Sequence, residues 1–240
     1  MQQHSTTLET HDESYFASFT DMLVGIIFIF IILLMIVAND FQEAADSVTK
    51  INESRDKVLK EIERSLKDAG VPVTVDIEQG VLRLPESILF GVDEYQVNQR
   101  GKQALGTLAG VLGTYLPCIA VSDDKSRTKI CDGLNLASKD GLDAVFIEGH
   151  TDSTGSSEHN WLLSAQRAIS VFREITYAEP YLNQDLKNTS GVPVLNVSGY
   201  EARRPVDPKK YDINRRIELR FIMRSPTPED VKKLKNAVGK

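Results

Sequence analysis

The sequence predicts an α+β domain carried behind a single transmembrane helix and a helical linker. Three observations carry that reading. Residues 22–38 form an unbroken apolar run with no Lys or Arg. Residues 39–70 repeat apolar positions at near-helical spacing, with no Pro or Gly before Gly70. From residue 71 onward, period-two segments alternate with segments of helical period. The 240 residues leave room for one span and one domain of ordinary size. A formal charge of −6 argues against nucleic acid as a partner.

Residues 1–14 are polar, carry Glu9, Asp12 and Glu13, and read as a short flexible tail. The span covers residues 15–38, enough to cross ~30 Å of hydrocarbon as one helix. Phe16 and Phe19 are suited to the interface, and Ser18 or Thr20 can cap the helix start. Asp21 is the only ionisable side chain in the span apart from the Tyr15 phenol. A carboxylate inside a spanning helix costs roughly 3 kcal/mol, so it is rare and usually functional. The bland alternative is a residue at the headgroup level that merely starts the helix. The run is longer than the apolar core of a signal peptide, and no small-x-small site follows it, so it reads as a retained anchor. Charge leaves its orientation open, because the first basic residue in the chain is Lys50.

In the linker, residues 39–70, apolar positions recur at Val48, Ile51, Val58, Ile62 and Ala69, with Leu59 and Leu66 beside them. Arg55 interrupts the stripe. Glu53 with Lys57 and Glu63 with Lys67 add favourable i,i+4 pairs. Two readings stand side by side: a solvated linker helix, or a helix that pairs with its twin in a dimer because its stripe is too narrow to bury much alone.

The domain covers residues 71–224. Val71, Val73, Val75 and Ile77 alternate, Glu78-Gln79-Gly80 turns the chain, and Val81, Leu82 and Leu84 follow, which predicts a hairpin. Ile88-Leu89-Phe90 is expected to close that strand region. A helix is expected over residues 93–116, a strand over 143–148, a helix over 160–175, and strands over 192–198 and 213–222. Residues 225–240 form a basic, helix-prone tail. Cys118 and Cys131 lie in a polar excursion, residues 117–139, and fit a disulfide in an oxidising compartment. Their spacing does not match a zinc site.

Three blocks in the domain resemble the OmpA-like peptidoglycan-binding family. The first is Gly149-His150-Thr151-Asp152-Ser153-Thr154-Gly155, and the second runs from Asn160 through Leu163-Ser164 and Arg167-Ala168 to Val171. The third begins at Gly199-Tyr200, passes Pro205, and ends in Asn214-Arg215-Arg216-Ile217-Glu218. The resemblance implies an α/β sandwich domain whose ligand is the peptidoglycan stem peptide. The residues at the positions of Asp152 and Arg167 make its contacts, and those of Thr154, Asn160 and Arg215 line the same pocket. The chemistry fits, because diaminopimelate presents an ammonium to Asp152 and carboxylates to Arg167. His150 and His159 lie near Asp152, but the resemblance already accounts for the Gly149-His150-Thr151-Asp152 turn, so no metal and no cofactor is expected. No nucleophile–base constellation stands apart from the motifs, so no enzyme activity is expected either.

A wall-binding domain places the N-terminus in the cytoplasm and the domain in the periplasm, as a single-pass protein of the bacterial inner membrane. This plan resembles the MotB family of stator subunits. There the Asp of the span carries the driving ion, and a pentamer of a multi-span, MotA-like partner surrounds a dimer of anchors. The stretch Ser18-Phe19-Thr20-Asp21-Met22-Leu23-Val24-Gly25 is more similar to the ZorB-type subunits of the Zorya anti-phage defence system, whose partner is of ZorA type. The flagellar form usually has a Trp in its span, and Trp161 is the only Trp here. The resemblance makes Asp21 the ion-carrying residue, with Thr20 beside it. The span lacks further polar ligands for sodium, which favours protons. Alternatives are a flagellar stator subunit and a passive tether between membrane and wall.

Overall fold

Helix α1 runs without a break over Thr6–Asp68. The computed structural model describes residues 6–225 and 227. Residues 6–14, expected as a flexible tail, are therefore the first turns of the helix. The tail expected over 225–240 lies almost wholly outside the described residues. The described residues divide into two compact units, one holding α1 as far as Val48 and the other Thr49–Ser225.

In the first unit the helix is long and apolar enough to cross a membrane. Its large side chains from Met22 to Val37 are exposed, among them Ile26, Phe28, Phe30 and Met35. A row of exposed Ile, Leu, Phe and Met has no stable place in water.

In the second unit the linker reading changes. Ile51, Val58, Leu59, Ile62 and Leu66 are all buried, the last four in the main core. Neither a solvated linker nor a twin helix is needed to cover them, because the domain itself does. The stripe is wide, since positions 51, 55, 58, 59, 62 and 66 share one face. Arg55 belongs to that face. Its Nη2 donates to the Ile77 carbonyl at 3.0 Å and its Nε to Asp56 at 2.9 Å, so the stem packs while the charge finds partners.

After α1 come the strands β1 (Thr74–Asp76) and β2 (Val81–Pro85), which pair antiparallel as the hairpin pattern predicts. Ile88 and Leu89 then lie in a short helix, α2 (Glu86–Leu89), rather than in a strand. The β2–β5 register ends at Pro85, and Glu86 donates one last N–H to the Arg215 carbonyl at 3.2 Å as the chain turns into α2. Helix α3 (Gln99–Tyr115) starts later than expected, where the Asn98 side chain accepts from Gly101 N–H at 2.7 Å. Strand β3 (Leu142–His150), helix α4 (Ser157–Ala178) and short helix α5 (Tyr181–Gln184) follow. Strand β4 (Leu195–Gly199), short helix α6 (Tyr211–Asn214) and strand β5 (Arg216–Met223) complete the order.

The sheet order is β1-β2-β5-β3-β4. Only β3 and β4 run parallel, as their crossover through α4 requires, and the other neighbours are antiparallel. Leu82, Leu84, Val145, Ile147, Leu219 and Phe221 from the sheet share one core with side chains of α1, α3 and α4. The polar excursion is anchored at its ends. Cys118 and Cys131 form the expected disulfide, with Cα atoms 5.2 Å apart, and both are buried. The excursion closes on α1, where the Ser138 N–H donates to Ser54 Oγ at 2.9 Å and Lys57 donates to the Asn135 carbonyl at 2.7 Å.

Candidate functional site

The site forms where β3 ends and α4 begins. Two glycines make that junction possible. Gly149 and Gly199 are partners in the β3–β4 register. A Cβ on Gly149 would lie 2.0 Å from the Ser164 carbonyl oxygen, and one on Gly199 would lie 2.7 Å from the Ala165 nitrogen. Only glycine lets α4 approach both strands this closely.

Beyond His150 the chain turns through Asp152 and Thr154 to Ser156, which caps α4 by accepting from His159 N–H at 3.3 Å. Asp152 Oδ1 accepts from the Thr154 N–H at 2.8 Å and from the Thr154 hydroxyl. Asn160, buried in the first turn of α4, donates to the carbonyls of Thr154 at 2.7 Å and Asp152 at 3.3 Å. Two turns on, Arg167 is also buried. Arg215 reaches in from between α6 and β5. Asn214 steadies that approach, accepting from Val206 N–H at 2.8 Å and donating to the Asp207 carbonyl at 2.8 Å.

These segments enclose a cleft of about 490 Å³ whose lining includes Asp152, Thr154, Asn160, Arg167 and Arg215. The structure thus brings together all five residues that the motifs single out for the wall ligand. Within the cleft Asp152 and Glu86 each have their own guanidinium partner. Asp152 Oδ2 meets Arg215 Nη1 at 2.6 Å, and no Asp152–Arg167 ion pair occurs. Arg167 instead donates through Nη2 to Glu86 Oε1 at 2.8 Å and through Nε to the Glu94 carbonyl at 2.8 Å. Two of its donors are committed to the chain itself.

Glu86 is the residue that sequence reasoning missed. It opens α2, is 8 % exposed, and lies between the two guanidiniums, with Oε2 3.5 Å from Arg215 Nε. That oxygen has no hydrogen-bond partner. The available signal was a lone carboxylate directly after Pro85, between the apolar residues Leu84 and Ile88-Leu89-Phe90. Burial pushes the Glu86 carboxyl up, against the pull of Arg167 and Arg215. Burial acts in the same direction on Asp152, but the bonds from Thr154 and Arg215 outweigh it and hold that carboxyl below the usual range. At the rim, His159 Nε2 lies 2.6 Å from Asp93 Oδ1, which ties the loop before α3 to α4.

A second charged cluster lies within the sheet. Glu148, His150 and Glu218 are buried, and their ligand atoms lie within 4.8 Å of one another. Guanidiniums already occupy the carboxylates. Glu218 Oε1 accepts from Arg83 at 2.8 Å and from Arg216 at 2.7 Å, and Glu148 accepts from Arg220 at 2.9 Å and 3.0 Å. Three cations around two carboxylates oppose a divalent metal there. The Asn214-Arg215-Arg216-Ile217-Glu218 block thus divides its work: Arg215 faces the cleft, while Arg216 and Glu218 brace the sheet.

Asp21 and Thr20 lie on α1 in the other compact unit, and both are exposed.

The OmpA family pattern matches residues 89–217, just over half of the chain and all of the cleft except Glu86. The chain belongs to the OmpA family. An uncharacterised Bacillus subtilis protein, YtxE, is 25 % identical over 245 residues, which is 86 % of this chain and 87 % of that protein. Among solved structures, the cell wall anchor of the type VI secretion system from Pseudomonas aeruginosa is 16 % identical, with a TM-score of 0.43 over 71 % of this chain and 99 % of that one. The periplasmic domain of Helicobacter pylori MotB is 20 % identical, with a TM-score of 0.40 over 66 % of this chain and 83 % of that one.

Proposed function

We propose that this OmpA-family chain is a wall-anchored stator subunit of an ion-driven membrane motor, of the type found in Zorya anti-phage defence. The observation that carries the wall-binding half is the cleft itself. Five motif residues from the β3–α4 turn, α4 and the junction before β5 converge on one opening, and both signs of charge are present in it. A diaminopimelate-containing stem peptide carries both signs as well, so the cleft can pair each end of the ligand. The motor half rests on Asp21, a carboxylate beside an apolar run that can cross a membrane. In this reading the N-terminus is cytoplasmic, the domain is periplasmic, and Asp21 passes protons at the contact with a multi-span partner. That partner is of the MotA or ZorA type, arranged as a pentamer around a dimer of this chain.

The test uses the full chain in detergent with purified peptidoglycan sacculi. The wild-type chain should pellet with them, and Asp152→Ala should remain in the supernatant. Asp152 is the better target than Arg167. Its partner Arg215 is 41 % exposed in its side chain and can turn to water, whereas removing Arg167 strands the buried Glu86 carboxylate. Undiminished pelleting of Asp152→Ala, with unfolding temperature unchanged, would remove the wall-binding assignment. Co-purification of a multi-span membrane protein separates a stator subunit from a plain anchor.

A further inference from the structure

We infer that Glu86 and Asp152 form a two-carboxylate seat for a primary ammonium of the wall peptide, and that Arg215 occupies this seat until the ligand displaces it. The inference rests on the wall-binding reading and adds a residue and a ligand group to it.

The geometry is that of one cation held by two acids. Arg215 Nη1 lies 2.6 Å from Asp152 Oδ2 and Arg215 Nε lies 3.5 Å from Glu86 Oε2. Both carboxylates are nearly buried, while the Arg215 side chain is 41 % exposed. It is therefore the charged group at this seat with a path to water. The two contacts are unequal. The Asp152 contact is short, whereas Glu86 Oε2 is left without any hydrogen bond. A buried carboxylate oxygen left unmatched is costly, and a compact ammonium with three donors can satisfy it where the planar, wider guanidinium does not.

Arg167 cannot be the displaced group. It is 2 % exposed, and Glu86 Oε1 and the Glu94 carbonyl hold it from two sides. Arg167 therefore keeps Glu86 Oε1 in place while Oε2 faces the exchangeable position. The exchange also conserves charge. Two carboxylates keep two cationic partners, and the freed Arg215, already 41 % exposed in its side chain, turns to water.

The test is binding by the full chain in detergent of two probes. One is the tripeptide alanyl-γ-glutamyl-diaminopimelate, and the other is the same tripeptide with its free side-chain amine acetylated. The wild-type chain should prefer the free amine. Arg215→Gln removes the resident cation, so affinity for the free-amine probe should rise about threefold or more, because the seat no longer has to be vacated. Affinity for the acetylated probe should not rise. Glu86→Gln keeps an acceptor for Arg167 but removes the charge. It should weaken free-amine binding about tenfold and leave the acetylated probe unaffected. Unchanged or weaker free-amine binding by Arg215→Gln overturns the displacement. Equal loss of both probes in Glu86→Gln overturns the seat and leaves Glu86 a structural brace. Failure of the wild-type chain to bind sacculi would instead overturn the wall-binding reading on which both rest.

Discussion

The Ser54 hydroxyl accepts the backbone N–H of Ser138 at 2.9 Å, which fastens the cysteine-bearing excursion to helix α1. Ser54 itself donates to the Lys50 carbonyl at 3.0 Å, so the contact is set within the helix. The last five turns of α1 are therefore part of the domain. A fragment starting at Val71 removes Val58, Leu59, Ile62 and Leu66 from the core. Each is worth roughly 2 kcal/mol of burial, and together they match the whole stability of an ordinary domain. A fragment starting at Thr49 should unfold cooperatively, and one starting at Val71 should not. Circular dichroism during thermal unfolding of the two decides this, and a cooperative transition in the shorter fragment would contradict it.

How much of this was legible differs from element to element. The β1–β2 hairpin was plain, because Val71 to Ile77 and Val81 to Leu84 alternate around a Gly turn. Four of the five motif residues lie within one turn-and-helix stretch, and the resemblance of that stretch to the OmpA-like family implied that Asp152, Thr154, Asn160 and Arg167 share a pocket. Glu86 could not be given a partner from the sequence, because Arg167 is 81 residues away and only the folded chain brings the two side chains together. The α1 stripe was misjudged at Arg55. A charge inside an apolar stripe looks like a break until the hairpin turn at Ile77 supplies its acceptor. The pairing of Arg215 with Asp152 joins residues 63 apart in sequence, and spacing carries no information on that.

The disulfide closes a short loop between residues 13 apart in sequence and ties the excursion to the end of α3. In the loop-entropy account a closure of this size stabilises by about 3 kcal/mol. Cys118→Ser with Cys131→Ser should lower the denaturant midpoint accordingly, and reduction of the wild-type chain should do the same. Midpoints that agree between oxidised and reduced protein would rule out a stabilising role for the bond.

Acid should weaken the domain in two stages. Burial holds the His150 imidazole below its usual value, with Glu148 and Glu218 pulling up and Arg216 pushing down. The fold therefore keeps His150 neutral, while the unfolded chain takes a proton below pH ~6.5. Stability is lost as pH falls from there toward the folded value. For Glu148 and Glu218, burial alone would push the carboxyls up. His150 and Arg220 outweigh it at Glu148, and Arg83 and Arg216 at Glu218, so both stand below the usual range. Their contribution is complete above the ordinary carboxyl value, near pH ~4.3, and is lost as pH falls through the folded values. Urea unfolding at pH 8, 6 and 5 should show the first loss, and His150→Gln should flatten it. An unaltered slope in that variant would assign the loss elsewhere.

Arg167→Lys separates ligand contact from internal bracing. Lysine keeps the charge but loses the fork that bridges Glu86 Oε1 and the Glu94 carbonyl. Because the site is nearly buried, the variant should lose stability by about 1–3 kcal/mol through the unmet acceptors. Wall binding should fall with it, since the loop before α3 forms one wall of the cleft. A variant of full stability and no wall binding would show that Arg167 acts on the ligand alone.

Asp21 separates a motor from a tether. The proposed mechanism needs a group that is neutral against apolar partner helices and ionised when water reaches it. Asp21→Asn keeps size and polarity but cannot ionise. Expression, membrane insertion and sacculus binding should be unchanged, because removing a charge from the span makes insertion easier. Phage protection should nevertheless disappear. Asp21→Glu keeps the carboxylate and shifts it by one methylene, so it should retain intermediate activity. A tether predicts the reverse: Asp21→Asn silent, and only cleft variants such as Asp152→Ala harmful. The deciding measurement is protection by Asp21→Asn beside Asp152→Ala at matched membrane abundance. Full protection by the Asn variant would remove ion coupling and leave the chain as an anchor, since the cleft would then account for every phenotype.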